Sequence, residues 1–453
     1  MFSARTTVAS RGWSRLACDL VLVCAYRLLI DLAALLVVLP VWGDYVELAA
    51  TRGASSDVWH VALSYAVTIV AYLAFRAVDR NARATRFVLS FQLLLIVIPF
   101  CTLYAHLSYP EWNLFVVVLG FVSVAGFAAI MPTPRIPHPG PWMRVVLGGL
   151  AAAMVLYLYG GLIAGGGLTR LNFDWNRVYH VRAELQEATF PFMGYALQWT
   201  GYVLNMALLV YFAHRARRDA MARVGTLAVI LMQVLLFAMT NFKAFLLIPF
   251  VVVGIVLLLR RYDAFRAGMA GAAIGIGVLS VIHAFGSLWG SGVMDRIYFV
   301  PASLHSLYIQ YFSNHPWVLL GATVGDFFGS TYQENMVQVI AWEYWGYEFS
   351  PNVGWIGDAY GNFGAAGVVA FAFVLAGLLR VGDKLAQRLP PGVAEGLLSG
   401  YAIVLVNSAL LTSILTGGYA VALITMWFMG RLHWDNVERG AHRASGAART
   451  EAA

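Results

Sequence analysis

Charge is what this 453-residue chain has least of: Asp, Glu, Lys and Arg together make up 12% of it, against 60% apolar residues. A large soluble enzyme needs far more polar surface, so the composition places the chain in a membrane. Cysteine is scarce too. Cys18, Cys24 and Cys101 fall within or at the edge of apolar runs and give neither a disulfide framework nor zinc spacing. No internal repeat and no matching pair of broken apolar segments is visible, which argues against a secondary transporter. No nucleic-acid motif accompanies the net charge of +7; that charge belongs to loops that can lie against anionic lipid. The first apolar run has no small-residue cleavage site after it and is too long for a signal peptide, so it reads as a retained span.

What is present is a series of about twelve apolar runs of bilayer-crossing length. They fall near 17–41, 58–77, 86–106, 112–131, 143–164, 193–213, 222–240, 243–260, 264–286, 364–381, 394–415 and 418–432. With the N-terminus inside, every second loop holds nearly all the Arg and Lys, as at Arg76/Arg80/Arg83/Arg86, Arg215/Arg217/Arg218/Arg223 and Arg380/Lys384/Arg388. The positive-inside bias then puts both termini in the cytoplasm. The expected fold is an all-α polytopic membrane protein: one domain over 1–435, a disordered cytoplasmic tail at 436–453, and two long outward loops, 165–192 and 287–363. Within the second loop, Leu304, Leu307, Tyr308 and Tyr311 have helical spacing and predict an amphipathic helix on the membrane surface. The same loop is rich in aromatics, which suit either interfacial anchoring or sugar stacking.

A few cations remain on the outward side, where topology disfavours them: Arg52, Arg170, Arg177, Arg182, Lys243 and Arg296. An anionic ligand is the simplest reason to keep them there. Surface pairing of Arg170, Arg177 and Arg182 with Asp174, Glu184 and Glu187 is the plain alternative, as is a Lys243 that merely snorkels to the interface. Arg296 suits two-pronged capture of phosphate oxygens. Asp358 stands where the chain re-enters the membrane, as a base or as a helix N-terminal acid facing its own dipole. His305 is a further candidate base, and Arg27 with Asp31, four apart in the first span, reads as a buried intrahelical pair.

Five segments together resemble the bacterial oligosaccharide repeat-unit polymerases, the O-antigen or Wzy-type family: NFDWNRVYHVRAEL (172–185), NFKAFLLIPF (241–250), RIYFVPASLHSLYIQYFSNHP (296–316), SPNVGWIGDAYGNFG (350–364) and NSALLTSILTGG (407–418). The likeness covers most of the chain from about 170 onward; the first 160 residues match only in being apolar. It implies chemistry on the outer face of a bacterial cytoplasmic (inner) membrane. There a growing glycan on polyprenyl diphosphate passes to a sugar hydroxyl of the next lipid-linked unit, and a flippase and a chain-length regulator are the implied partners. A diphosphate leaving group calls for fixed cations, and Arg182, Lys243 and Arg296 match the family's pieces, with Arg170, Arg177 and Tyr179 beside them. The acceptor hydroxyl calls for a carboxylate base: Asp358 first, Glu334 and Glu343 in reserve. Asn352, Tyr360 and Asn362 are expected to position sugar or diphosphate. The chain departs from the related pattern ANTGFIGDAYANFG at Pro351, Val353, Trp355 and Gly361, so the carry-over rests on Asp358 more than on Asn352. Neither a DxD-like pair nor a His/Asp cluster is present, and a mechanism without metal or cofactor is expected. An O-antigen ligase, another multi-span glycosyltransferase, and a carrier of lipid-linked glycan are the rival readings.

Overall fold

The computed structural model describes residues 2–46, 48, 57–169, 171–173, 190–217, 219–259, 261–321, 332, 334–430, 432 and 434, with side chains from residue 16 onward. The 436–453 tail and most of the 165–192 loop lie outside the described residues. Among those described the fold is all-α, as expected. Ten helices are long and apolar enough to cross a membrane, and Lys243–Leu258 and Val393–Val406 are shorter apolar helices. Each expected run coincides with one of these twelve. The main shift is at 364–381, where the helix begins nine residues earlier, at Trp355.

The chain divides into two compact units. The first comprises Met1–Pro132, Tyr262–Arg380 and Tyr401–Ile414. Its centre is the helix Arg83–Leu107, whose apolar window is 89% buried, against 11% for Ala264–Ala284. The former is enclosed by other helices, whereas the latter leaves Ile274, Val278 and Val281 exposed, the side chains that suit lipid contact. Three π-helical turns, Ala34–Val38, Leu93–Val97 and Asp295–Phe299, each run into a proline two residues on, Pro40, Pro99 and Pro301. A proline cannot donate the i→i−4 bond, and a widened turn is one way for a helix to continue past that gap.

The Arg27–Asp31 ion pair expected within the first span is present, and it is larger than a pair. Arg27, fully buried, also donates to Thr102 Oγ1 (2.6 Å) and Ser64 Oγ (3.1 Å). Asp31 accepts from the Tyr65 hydroxyl (3.0 Å) and lies 3.2 Å from His106 Nε2. Three helices, Leu16–Val46, Val58–Ala77 and Arg83–Leu107, are thereby joined through one charged knot. The buried guanidinium has its charge met by Asp31 and both terminal nitrogens bonded, while its Nε has no hydrogen-bond partner among the described residues.

The 287–363 segment is not mainly loop. Leu288–Met294, Asp295–Phe299 and Val300–Asn314 follow one another as continuous helix, and Met336–Trp345 forms another. The helix expected to lie on the membrane surface is instead inside the first unit: Leu304, His305, Leu307 and Tyr308 are all at or below 5% exposed. Sequence periodicity misleads here because the opposite face carries small hydroxyl residues that can also be buried once bonded. Ser306 receives Asn113 Nδ2 at 2.7 Å, and Ser303 donates to its own helix at Val300 O (3.1 Å). Gly290 allows the close approach of this helix to Ala264–Ala284, since a β-carbon there would sit 2.4 Å from Leu279 O.

The second unit comprises Thr133–Arg261, Val381–Gly400 and Leu415–Ala453. Its buried polar centre is an amide pair: Asn205 Nδ2 donates to Gln233 Oε1 (2.8 Å) and Gln233 Nε2 to Gly201 O (3.0 Å), inside the π-helical turn Thr200–Leu204.

Candidate functional site

The 350–364 motif forms an ordered entry into the helix Trp355–Ala386. Residues 351–354 are non-helical and pinned from two sides. The Tyr308 hydroxyl donates to Pro351 O (2.9 Å), and Trp355 Nε1, on a side chain 1% exposed, donates to Gln92 Oε1 (3.2 Å). Gly354 passes so close to the His305 ring that a β-carbon would lie 3.0 Å from Nε2. His305 has its Nδ1 2.5 Å from Pro301 O, and burial pushes its pKa down to about 4. It is therefore uncharged at neutral pH, and its Nε2 is buried beside Gly354 with no hydrogen-bond partner among the described residues.

Asp358 sits in the first turn of that helix, 5% exposed. One carboxylate oxygen accepts from Asn362 Nδ2 (3.1 Å) and the other from the Leu410 N–H (3.3 Å). Asn362 in turn accepts the Leu320 N–H at its Oδ1 (2.7 Å), and Val318 N–H donates to Gly361 O (2.9 Å). Leu319 and Leu320 both adopt left-handed backbone, φ 53° and 61°. Such residues cost of order 1–3 kcal/mol each unless their surroundings hold them. The Asp358–Asn362 pair supplies that hold. Gly364 (φ 61°) then breaks the helix, and the Trp317 ring fills the space where a β-carbon would lie, 2.7 Å from Cζ2. Tyr360 is buried as well; its hydroxyl accepts from Trp112 Nε1 (2.9 Å) and meets Ser313 Oγ (2.8 Å).

Asp358, Tyr360 and Asn362 are thus brought together, but as a knot that shapes the backbone. The base role expected of Asp358 finds both of its oxygens already engaged. Asn352, Glu334, Glu343 and Arg296 are exposed and lie in the same unit. Of the aromatics, Tyr298, Tyr308, Trp355 and Tyr360 are buried, leaving Trp289, Trp317, Trp342 and Tyr347 to face outward at 46–55% exposure.

The sequence alone does not single out Asp295, which precedes Arg296. It opens the π-helical turn, is 8% exposed, and its Oδ1 has no hydrogen-bond partner among the described residues. The 288–314 helix is not one of the membrane-length apolar helices, and burial pushes the Asp295 carboxyl up to about 7 despite the adjacent Arg296. A buried acid beside an exposed arginine was the available signal; the widened turn that isolates it has no sequence mark beyond Pro301.

In the second unit, Ala220–Thr240 and Lys243–Leu258 are joined by two residues only, Asn241 in left-handed conformation and Phe242. Lys243 opens the second of these helices and is half-buried. The start of the 165–192 loop meets this junction: Asn172 N–H donates to Ala238 O (2.9 Å), Asn241 Nδ2 to Asn172 O (3.5 Å), and Phe173 packs on Phe237. The first residues of two family-like segments therefore touch. Arg170, Arg177, Tyr179 and Arg182 lie outside the described residues.

No group of three His, Cys, Asp or Glu side chains able to hold a metal occurs among the described residues. No family model, curated protein or solved structure matches this chain.

Proposed function

We propose that this chain polymerises lipid-linked oligosaccharide repeat units, transferring the growing glycan from polyprenyl diphosphate to a sugar hydroxyl of the next unit. The observation that carries the reading is the 350–364 segment. Its sequence resembles the polymerases, and it is an ordered polar turn leading into a membrane-length helix, with Asp358, Tyr360 and Asn362 fixed by partners distant in sequence. In this proposal Arg296 binds diphosphate oxygens, and the exposed Trp289, Trp317, Trp342 and Tyr347 offer faces on which sugar rings stack. Asp358 and Asn362 hold the 318–320 segment in place. Asp295 takes the acceptor's proton: its carboxyl titrates near neutral pH, where a base is most effective. The donor, acceptor, flippase and length-regulator partners, and the location in a bacterial inner membrane with the site facing outward, belong to the same proposal.

Removing the gene from its host and separating surface and lipid-linked glycans on a gel tests the reading. A polymerase leaves at most one repeat unit attached and no long-chain ladder. Full-length polymer stranded on the lipid would instead mean a ligase, and an unchanged ladder sinks both. A carrier of anionic lipid-linked glycan is a second reading, favoured by the charged knot of Arg27, Asp31 and His106, drawn from two helices and bonded to Ser64 and Tyr65 of a third.

A further inference from the structure

A second polar region occupies the other end of the first unit. The stretch of the first helix around Asp19 lies there, Val58–Ala77 ends there, and Arg83–Leu107 and Ala264–Ala284 begin there. Between them is a cleft of about 260 Å³ lined by Arg76, Arg80, Arg86, Arg266, Asp19 and Asp263. Four guanidinium groups face two carboxylates, so the cleft carries an excess of two positive charges.

The two acids account for how the arginines are held rather than for their full charge. Arg266 places both Nε (3.0 Å) and Nη2 (2.6 Å) on one oxygen of Asp19, and Arg76 Nη1 takes the other at 3.0 Å. Asp263 is mainly a helix cap, accepting the Phe265 N–H at 3.0 Å, and stands 3.9 Å from Arg86. Arg86 is fixed by other means: its guanidinium lies over the Phe75 ring, 4.5 Å from the centroid, and Nη1 donates to Val78 O (3.2 Å). Arg80 stands exposed. The side wall is aromatic, Tyr72 against Phe265 with centroids 5.5 Å apart. Preformed guanidinium forks over an aromatic wall, with surplus positive charge, match a tetrahedral phosphate and lose little freedom on binding it. Basic pockets between helices at a membrane boundary suit anionic headgroups.

We propose that this cleft is a phosphate-binding site, taking the phosphate group of an anionic lipid headgroup or of a soluble phosphate compound. It does not depend on the polymerase reading. The test titrates the purified full-length protein in neutral detergent, read by native mass spectrometry. The probes are short-chain phosphatidylglycerol, the matching diacylglycerol without phosphate, and inorganic phosphate. Phosphatidylglycerol should bind, diacylglycerol should not, and Arg80→Gln and Arg86→Gln should each weaken binding about tenfold, which is ~1.4 kcal/mol. Displacement by millimolar inorganic phosphate assigns the site to a soluble phosphate compound; resistance to it assigns the site to the lipid. Arg80→Gln alone decides the matter if Arg86→Gln fails to fold, because Arg80 is exposed. Equal binding of the phosphate-free lipid, or wild-type affinity in Arg80→Gln, overturns the proposal.

Discussion

The cleft at the start of the helix Arg83–Leu107 and the turn around Asp358 handle polarity in opposite ways. The helix has 25 residues, so its ends are about 37 Å apart. At its start, charges meet charges: four arginines and two aspartates, side chain to side chain, with positive charge left over. The Arg27–Asp31 pair is bound near its other end, but around Trp112, Tyr360 and Asp358 polar atoms meet amides, hydroxyls and backbone groups, and the carboxylate is satisfied by two neutral donors. The first arrangement can take a ligand without losing its own pairs, because its positive charge exceeds what the two carboxylates meet. The second cannot, because each buried donor or acceptor left alone costs about 1–3 kcal/mol. Fixed shape and available charge are thus kept in different places.

The sharpest way to break this contrast is Asp358→Ala. It leaves the Leu410 N–H unpaired and takes a partner from Asn362, which holds two left-handed leucines in position. The expected loss is several kcal/mol of stability, with the polymer ladder lost alongside. Asp358→Asn keeps one oxygen acceptor for the Leu410 N–H but turns an NH2 toward Asn362 Nδ2, so it should lose less stability than Asp358→Ala and keep polymer formation. Thermal unfolding in detergent, run together with the gel, checks this. An Asp358→Asn protein that folds normally yet makes no polymer would return the base role to Asp358.

Asp295→Asn should produce the opposite pairing of effects. The folded-state pKa of about 7 lies above the ordinary 3.8, so the stability this group contributes is fully present below pH 3.8 and is lost as pH rises through 7. Asparagine carries no charge to desolvate. The variant should therefore match the wild type near pH 4 and exceed it by a few kcal/mol above pH 7, while polymer formation falls. Higher stability with full activity would leave Asp295 no part in the chemistry.

How much of this could be read beforehand depends on what each residue's partner is. The helices were legible because apolar runs of membrane length have few alternatives, and the Arg27–Asp31 pair because its members lie four apart in one helix. The burial of 300–314 was not, since Ser303, Ser306 and His305 read as a polar face until Asn113 and Gly354, distant in sequence, are brought against them. Arg76, Arg80 and Arg86 were legible as a topology signal only. That Asp19 and Arg266, 247 residues apart, complete a cleft with them is a matter of packing. Asp358, Tyr360 and Asn362 were picked out by motif, but the motif does not say whether they face a substrate or one another.

The smallest expected effect tests whether the acidic and basic ends of a single helix merely answer its own dipole. Val58–Ala77 has Asp57 at its N-cap, accepting the His60 N–H at 3.0 Å, and Arg76 in its last turn. Both placements suit the macrodipole and require no ligand. The hydrogen bonds from His60 hold the Asp57 carboxyl below the usual carboxylate range. Its contribution is therefore present above pH 3.8 and lost as pH falls through the lower folded value. Asp57→Ala should lower the unfolding midpoint slightly and by the same amount from pH 5 to 8, with the gap closing only below pH 4, and should leave phosphatidylglycerol binding at the arginine cleft unchanged. A weakened cleft in Asp57→Ala would mean that the two ends of this helix are coupled, and that shape and charge are not held apart after all.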